Sequence, residues 1–183
     1  MFYLGLDPSL TNFGVVLLDG SNDKNVIINS IILKTFPTKS MEERILKLSN
    51  NIFDLISKIR EPKRNVRIGI EGLSYGSKGQ AVAELGALHY FLRILFFDND
   101  LKYQVIPPTV LKKYVCGTGR AKKDLILLNA YKKFQVSFES SDICDAYCLA
   151  RFIKEYPRMD EFINKGKKPV VKKNKKDKSD AKK

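Results

Sequence analysis

The chain has 183 residues, 44% of them hydrophobic, with 33 Lys and Arg against 20 Asp and Glu, for a net charge of +13. That length suits one domain of about 160 residues with a tail, and no apolar run nears the ~20 residues that span a bilayer. The stretch Lys165–Lys183 holds ten Lys and two Asp, a net of +8 that leaves +5 for residues 1–164; such a block does not fold alone and is either a solubilising tail or a contact for a polyanion.

Residues 2–7, 13–18 and 25–36 read as three strands, with the turn signal Asp19-Gly20-Ser21-Asn22-Asp23 between the second and third. Residues 41–60 read as a helix whose apolar face is Ile45, Leu48, Ile52, Leu55, Ile56 and Ile59, opened by a capping box of Ser40 and Glu43. A strand at 66–71 precedes a long apolar helix at 79–97, with Ala81, Leu85, Leu88, Leu92 and Leu95 on one side. A short strand at 103–106 stops at Pro107-Pro108. Helical turns at 109–115, a basic loop at 116–120, and helices at 121–133 and 141–155 complete the domain. This order predicts an α/β fold with a central mixed sheet, an antiparallel three-strand meander plus parallel strands, flanked by helices. We expect a folded domain over 1–160 and a Lys-rich, disordered tail over 161–183.

No basic segment leads into the first strand, so a secretory leader is not expected. Three cysteines without pattern (Cys116, Cys144, Cys148) fit a reducing cytoplasm. The only histidine, His89, lies in an apolar helix and reads as a packed residue, which argues against both zinc and a His-assisted nucleophile. A phosphate-loop motif is also missing, which argues against a P-loop ATPase.

Four acids stand out. Asp7 and Glu71 each close an apolar strand, at the carboxyl ends where α/β sheets collect their ligands. Each has a glycine two residues earlier, Gly5 and Gly69, on its own face of the strand, which leaves room for an ion or a phosphate. Asp142 and Asp145 are i,i+3 on one helix face, behind a cap at Ser140 or Ser141. Acids in a first turn are also what the helix dipole alone selects. Four carboxylates together repel unless cations hold them, and an all-oxygen set selects Mg²⁺ or Mn²⁺. Two such ions about 4 Å apart can clamp a phosphodiester.

Cations lie between the acid sites. Lys112, Lys113, Arg120, Lys122 and Lys123 flank Gly117-Thr118-Gly119, a pattern that suits phosphate neutralisation as well as plain solvation. Tyr75 and Lys78 lie on a glycine-rich loop after Glu71; Tyr75 there either stacks on an unpaired base or packs on the core.

Taken in order, these motifs resemble the RuvC-type Holliday junction resolvases of RNase H-like fold, especially the phage-type members. The resemblance runs through Gly5-Leu6-Asp7-Pro8-Ser9-Leu10-Thr11-Asn12-Phe13-Gly14, Ile70-Glu71-Gly72-Leu73, the basic run Lys112 to Lys123, and Asp142-Ile143-Cys144-Asp145-Ala146. It implies Asp7, Glu71, Asp142 and Asp145 as ligands of two Mg²⁺ or Mn²⁺ ions, with Lys123 and Lys112 on the scissile phosphate. It further implies a homodimer, with the helix at 79–97 as candidate dimer surface, that nicks two opposed strands of branched DNA at a four-way junction. The cuts would leave 5′-phosphate and 3′-hydroxyl ends. Ser9 replaces the glycine usual in bacterial members, the aromatic after the second acid is shifted by one position to Tyr75, and the Lys-rich tail lies outside the family core. Three rivals are a broader flap and fork nuclease, a non-cleaving DNA-binding module, and an actin-like ATPase fragment, whose first phosphate motif resembles Gly5 to Asn12.

Overall fold

The computed structural model of the protein describes residues 1–21, 26–60, 62–73 and 79–165. In chain order it contains β1 (Phe2–Asp7), β2 (Asn12–Asp19), β3 (Val26–Lys34), α1 (Met41–Ser57), β4 (Val66–Glu71), α2 (Gln80–Asp98), β5 (Lys102–Ile106), α3 (Pro108–Cys116), α4 (Lys123–Phe134), α5 (Ser141–Glu155) and α6 (Met159–Asn164). The sheet order is β3-β2-β1-β4-β5. β1 and β2, and β2 and β3, pair antiparallel, whereas β4 runs parallel to both β1 and β5. The expected meander and parallel half are therefore both present, and a crossover through α1 joins them.

Period-two alternation divides the sheet into two faces. Leu4 and Leu6, Phe13, Val15 and Leu17, and Ile68 and Ile70 face α1 and α2, where Leu48, Ile52, Leu88, Leu92 and Phe96 cover them. Val16 and Leu18 face the second layer, built from α3, α4 and α5 around Tyr114, Ala146, Leu149 and Phe152. The capping box of α1 forms as expected: the Glu43 amide donates to Ser40 Oγ at 3.2 Å and the Ser40 amide to Glu43 Oε2 at 3.1 Å. Ala81, expected on the apolar face of α2, is exposed, because that helix packs on the core only from Leu85 onward.

Two boundaries differ most from expectation. α1 stops at Ser57. At the other end, α6 carries order past the expected boundary at 160. The cause is Phe162, which packs against Phe152, Tyr156 and Tyr114 with ring centroids 5.3, 5.0 and 6.0 Å apart. Among the described residues no helix is long and apolar enough to cross a membrane.

Candidate active site

Three elements bring the four acids to one place. Leu6 pairs with Ile70 in the parallel register of β1 and β4, so Asp7 and Glu71 follow at the same level of neighbouring strands. Both point to the face covered by α5, opposite Leu6 and Ile70. α5 starts there, with Ser140 Oγ accepting from the Asp142 amide at 3.1 Å and the Ile143 amide at 3.3 Å. This cap sets the first turn and delivers Asp142 and Asp145 beside the strand ends.

The glycines beside the acids do not leave room for an ion, contrary to the sequence reading. A Cβ at Gly5 would run into the Ala146 carbonyl and stand 2.8 Å from the Ala150 amide nitrogen. One at Gly69 would meet Ile153 Cγ2 at 3.0 Å and the Leu149 carbonyl oxygen at 3.1 Å. The space is filled by the backbone of α5. These glycines let the helix lie on the sheet, and that approach is what draws its acids to Asp7 and Glu71. Gly14, paired with Asp7, serves α5 in the same way, because a Cβ there would strike the Asp142 carbonyl.

The turn after Asp7 is braced from below. Ser9 Oγ accepts from the Thr11 and Asn12 amides, both at 3.2 Å, a bond that glycine in its place could not make. The Leu10 carbonyl accepts from the Thr35 hydroxyl and from buried Arg44 Nη2 at 2.9 Å. The end of β4 is braced by His89, only 2% exposed, whose Nε2 donates to the Glu71 carbonyl at 2.9 Å. Sequence reasoning took His89 for a packed residue and passed over Arg44. Both act through contacts between elements distant in sequence, and the only signal available was a polar residue inside an apolar helical face.

Burial and mutual repulsion dominate the electrostatics. Burial first, then the charges of Glu71, Asp145 and Asp142, push the Asp7 carboxyl up to about 9. Burial and Asp145 push Glu71 up to about 7, against Lys112 and Lys123. The Asp7 and Glu71 carboxyls lie within hydrogen-bonding reach of each other, which favours a proton on Asp7 and opposes one on Glu71. Asp145 rises to about 6 by burial, opposed by Lys123. Its Oδ1 is buried and finds no hydrogen-bond partner among the described residues.

Lys123 is the first residue of α4, and its Nζ lies 3.8 Å from Asp142 Oδ1. Lys112 on α3 is near enough to act on Glu71 and Asp145. Lys113, Arg120 and Lys122 are exposed along the same α3–α4 hairpin. Tyr75 and Lys78 lie outside the described residues. A recess of about 120 Å³ beside Glu71 is lined by Pro8, Gly72, Leu73, Leu85, His89 and Pro108.

The donor set fits a hard divalent cation, with four carboxylates and one buried oxygen left bare. Among the described residues no three such groups are already closed around one ion position. Asp7 and Glu71 instead turn to each other. Cys144 and Cys148 are free, buried thiols of α5, as expected.

Residues 3–152 match the family Crossover junction endodeoxyribonuclease RuvC. Relatives of that name include those of Rickettsia bellii, 28% identical over 82% of this chain and 94% of theirs, and Sulfurovum sp., 26% identical over 82% and 92%. The fold resembles that of Thermus thermophilus RuvC, with a TM-score of 0.71 at 19% identity, covering 87% of this chain and 97% of that one. The same Thermus protein in complex with Holliday junction substrate gives a TM-score of 0.73 at 18% identity, covering 87% and 96%. Shared fold, a match over residues 3–152 and an acid cluster at the strand ends lead to one assignment: the chain belongs to the RuvC family of crossover junction endodeoxyribonucleases.

Proposed function

We propose that this protein is a divalent-metal-dependent endonuclease that resolves Holliday junctions, acting as a homodimer through paired nicks that leave 5′-phosphate and 3′-hydroxyl ends. The observation that carries the reading is the convergence of Asp7, Glu71, Asp142 and Asp145 from β1, β4 and α5. They would hold two Mg²⁺ or Mn²⁺ ions, which when bound supply the positive charge and acidify the water that hydrolysis of a phosphodiester needs.

The protein's own groups supply the rest. Asp7 and Glu71, both raised by burial, must lose their protons before they can act as ligands, so cleavage rises with pH through the neutral range. Lys123 is 66% exposed and its contact with Asp142, at 3.8 Å, is solvated. Such a pair is worth less than about 1 kcal/mol, so the ammonium leaves it at little cost for a phosphate oxygen. Lys112 neutralises from the other side, while Arg120, Lys113 and Lys122 track the DNA backbone. His89 and Arg44 hold the two strand ends still. Tyr75 and Lys78, on the loop after Glu71, would meet the bases at the branch point.

The test is Asp7→Asn assayed with Mg²⁺ on a synthetic four-way junction. Cleavage should fall more than about 100-fold, beyond the cost of losing an outer-shell partner, while junction binding persists. Flap, fork and linear duplex cut as fast as the junction by the wild type would replace junction resolution with a broader branched-DNA activity. Wild-type cleavage by the variant would remove the proposed site.

A further inference from the structure

The basic hairpin α3–α4 packs on α5 through Leu111, Val115, Ile126 and Ala130, and contacts at its far end add to that hold. Tyr114, near the end of α3, is buried, with its ring edge-on to Phe152 of α5 at 5.2 Å. α3 ends at Gly117, in the left-handed region at φ 78°, and the Gly117 amide returns to the Lys113 carbonyl. The next carbonyl, that of Tyr114, is one of the terminal groups a helix leaves unmatched. Lys133 of α4 meets it, with Nζ donating at 2.8 Å, and the same ammonium sits 3.3 Å from the centre of the Tyr114 ring. One cation thus grips both the backbone and the side chain of one residue.

A second cation repeats the pattern one helix further on. Arg151 of α5 lies over the Phe134 ring of α4, 4.5 Å from its centre. Its guanidinium is fixed by the Tyr147 hydroxyl and by Glu155, both at 3.1 Å. α5 therefore holds α4 through Arg151, and α4 holds α3 through Lys133. α5 is also the helix that carries Asp142 and Asp145.

We propose that these two cation–aromatic grips set the height of Lys112 and Lys123 over the acids, with Lys133 a positioning residue for phosphate engagement. The inference rests on the function proposed above. Lys133 and Lys123 are ten residues apart, about 15 Å along α4, so Lys133 cannot serve the phosphate that Lys123 serves. Its influence passes through the helix.

The experiment compares Lys133→Met and Lys133→Arg on a four-way junction, with circular dichroism confirming the fold. Lys133→Met should lower kcat about 10- to 100-fold, the scale expected when a reacting group is misplaced by an ångström, with KM within about twofold of wild type. Lys133→Arg, which keeps the charge and the donor, should restore kcat to within threefold of wild type. In a Lys112→Ala/Lys123→Ala background, Lys133→Met should add less than a further twofold, because both groups it positions are gone. A purely structural role predicts instead that the two losses multiply, and that result overturns the proposal, as does wild-type kcat in Lys133→Met. If Lys133→Met is unfolded at the assay temperature, Lys133→Gln takes its place under the same criteria. A wild-type protein that leaves the junction uncut overturns the function itself, whereas normal wild-type cleavage with silent Lys133 variants overturns only the grip.

Discussion

Asp145 places a carboxylate oxygen in the interior without a hydrogen-bond partner among the described residues. A bare buried acceptor costs about 1–3 kcal/mol, more when charged, and repulsion from Asp142 adds to that. A folded protein tolerates this where function needs it. Asp145→Asn should therefore raise the melting temperature of the metal-free protein by a few degrees, as expected for about 1 kcal/mol in a domain this size, while abolishing junction cleavage. Thermal melts in chelator beside a cleavage assay measure both, and a variant less stable than wild type would show that the oxygen is not bare. His89 illustrates the opposite case. A carbonyl only accepts, so its bond to Glu71 requires the proton on Nε2. Burial holds its pKa below the usual histidine value, so the ring stays neutral and serves as a fixed donor.

Among the elements, α5 does most to make the site, and small residues in the sheet let it do so. A Cβ at Gly5 collides with its backbone, whereas one at Gly86 of α2 meets only Leu73 Cδ1, at 3.9 Å. Two Gly→Ala changes should therefore have opposite signs. Gly5→Ala should cost about 1–3 kcal/mol or more, as overpacking does, and should lower cleavage by shifting Asp142 and Asp145. Gly86→Ala should gain about 0.5–1 kcal/mol from helix propensity. Urea denaturation of both variants decides, and equal effects would contradict the proposed approach of α5. Most of this architecture was legible in the sequence, because period-two and helical spacing mark strands and helices directly. Strand alternation also identified the face that Gly5 shares with Asp7. It could not say what covers that face, so the missing side chain was read as space for an ion instead of space for a helix. α6 escaped because its six residues follow Pro157 and their order depends on Phe162 meeting Tyr114 and Phe152 from distant segments. The acid quartet was found because strand-end and first-turn acids are local signals. The braces at His89 and Arg44, and the Lys133 grip, are tertiary.

Over the whole molecule, a chain of net charge +13 gathers four carboxylates into one small acidic centre. The basic exterior gathers DNA by releasing its counterions, so binding weakens steeply with salt. The acidic centre makes stability depend on pH and on divalent cations. Asp7, near 9, and Glu71, near 7, hold protons in the folded state that the unfolded chain has already released at neutral pH. The folded state then binds more protons than the unfolded one, so stability falls as pH rises toward the folded values. Between pH 7 and 8.5 His89 changes charge little in either state, and the raised thiols of Cys116 and Cys148 add a slope of the same sign only toward the top of the window. In chelator the protein should lose about 1.4 kcal/mol per pH unit for each proton still held, or several degrees of melting temperature between pH 7 and 8.5. Millimolar Mg²⁺ should reverse the slope, since cations bind the deprotonated carboxylates and stabilise more as pH rises. Differential scanning fluorimetry across this window, with chelator and with Mg²⁺, gives both slopes. Parallel slopes in the two conditions would mean that the carboxylates do not take up magnesium. A melting temperature that climbs with pH in chelator would mean that Asp7 and Glu71 are already ionised at neutral pH.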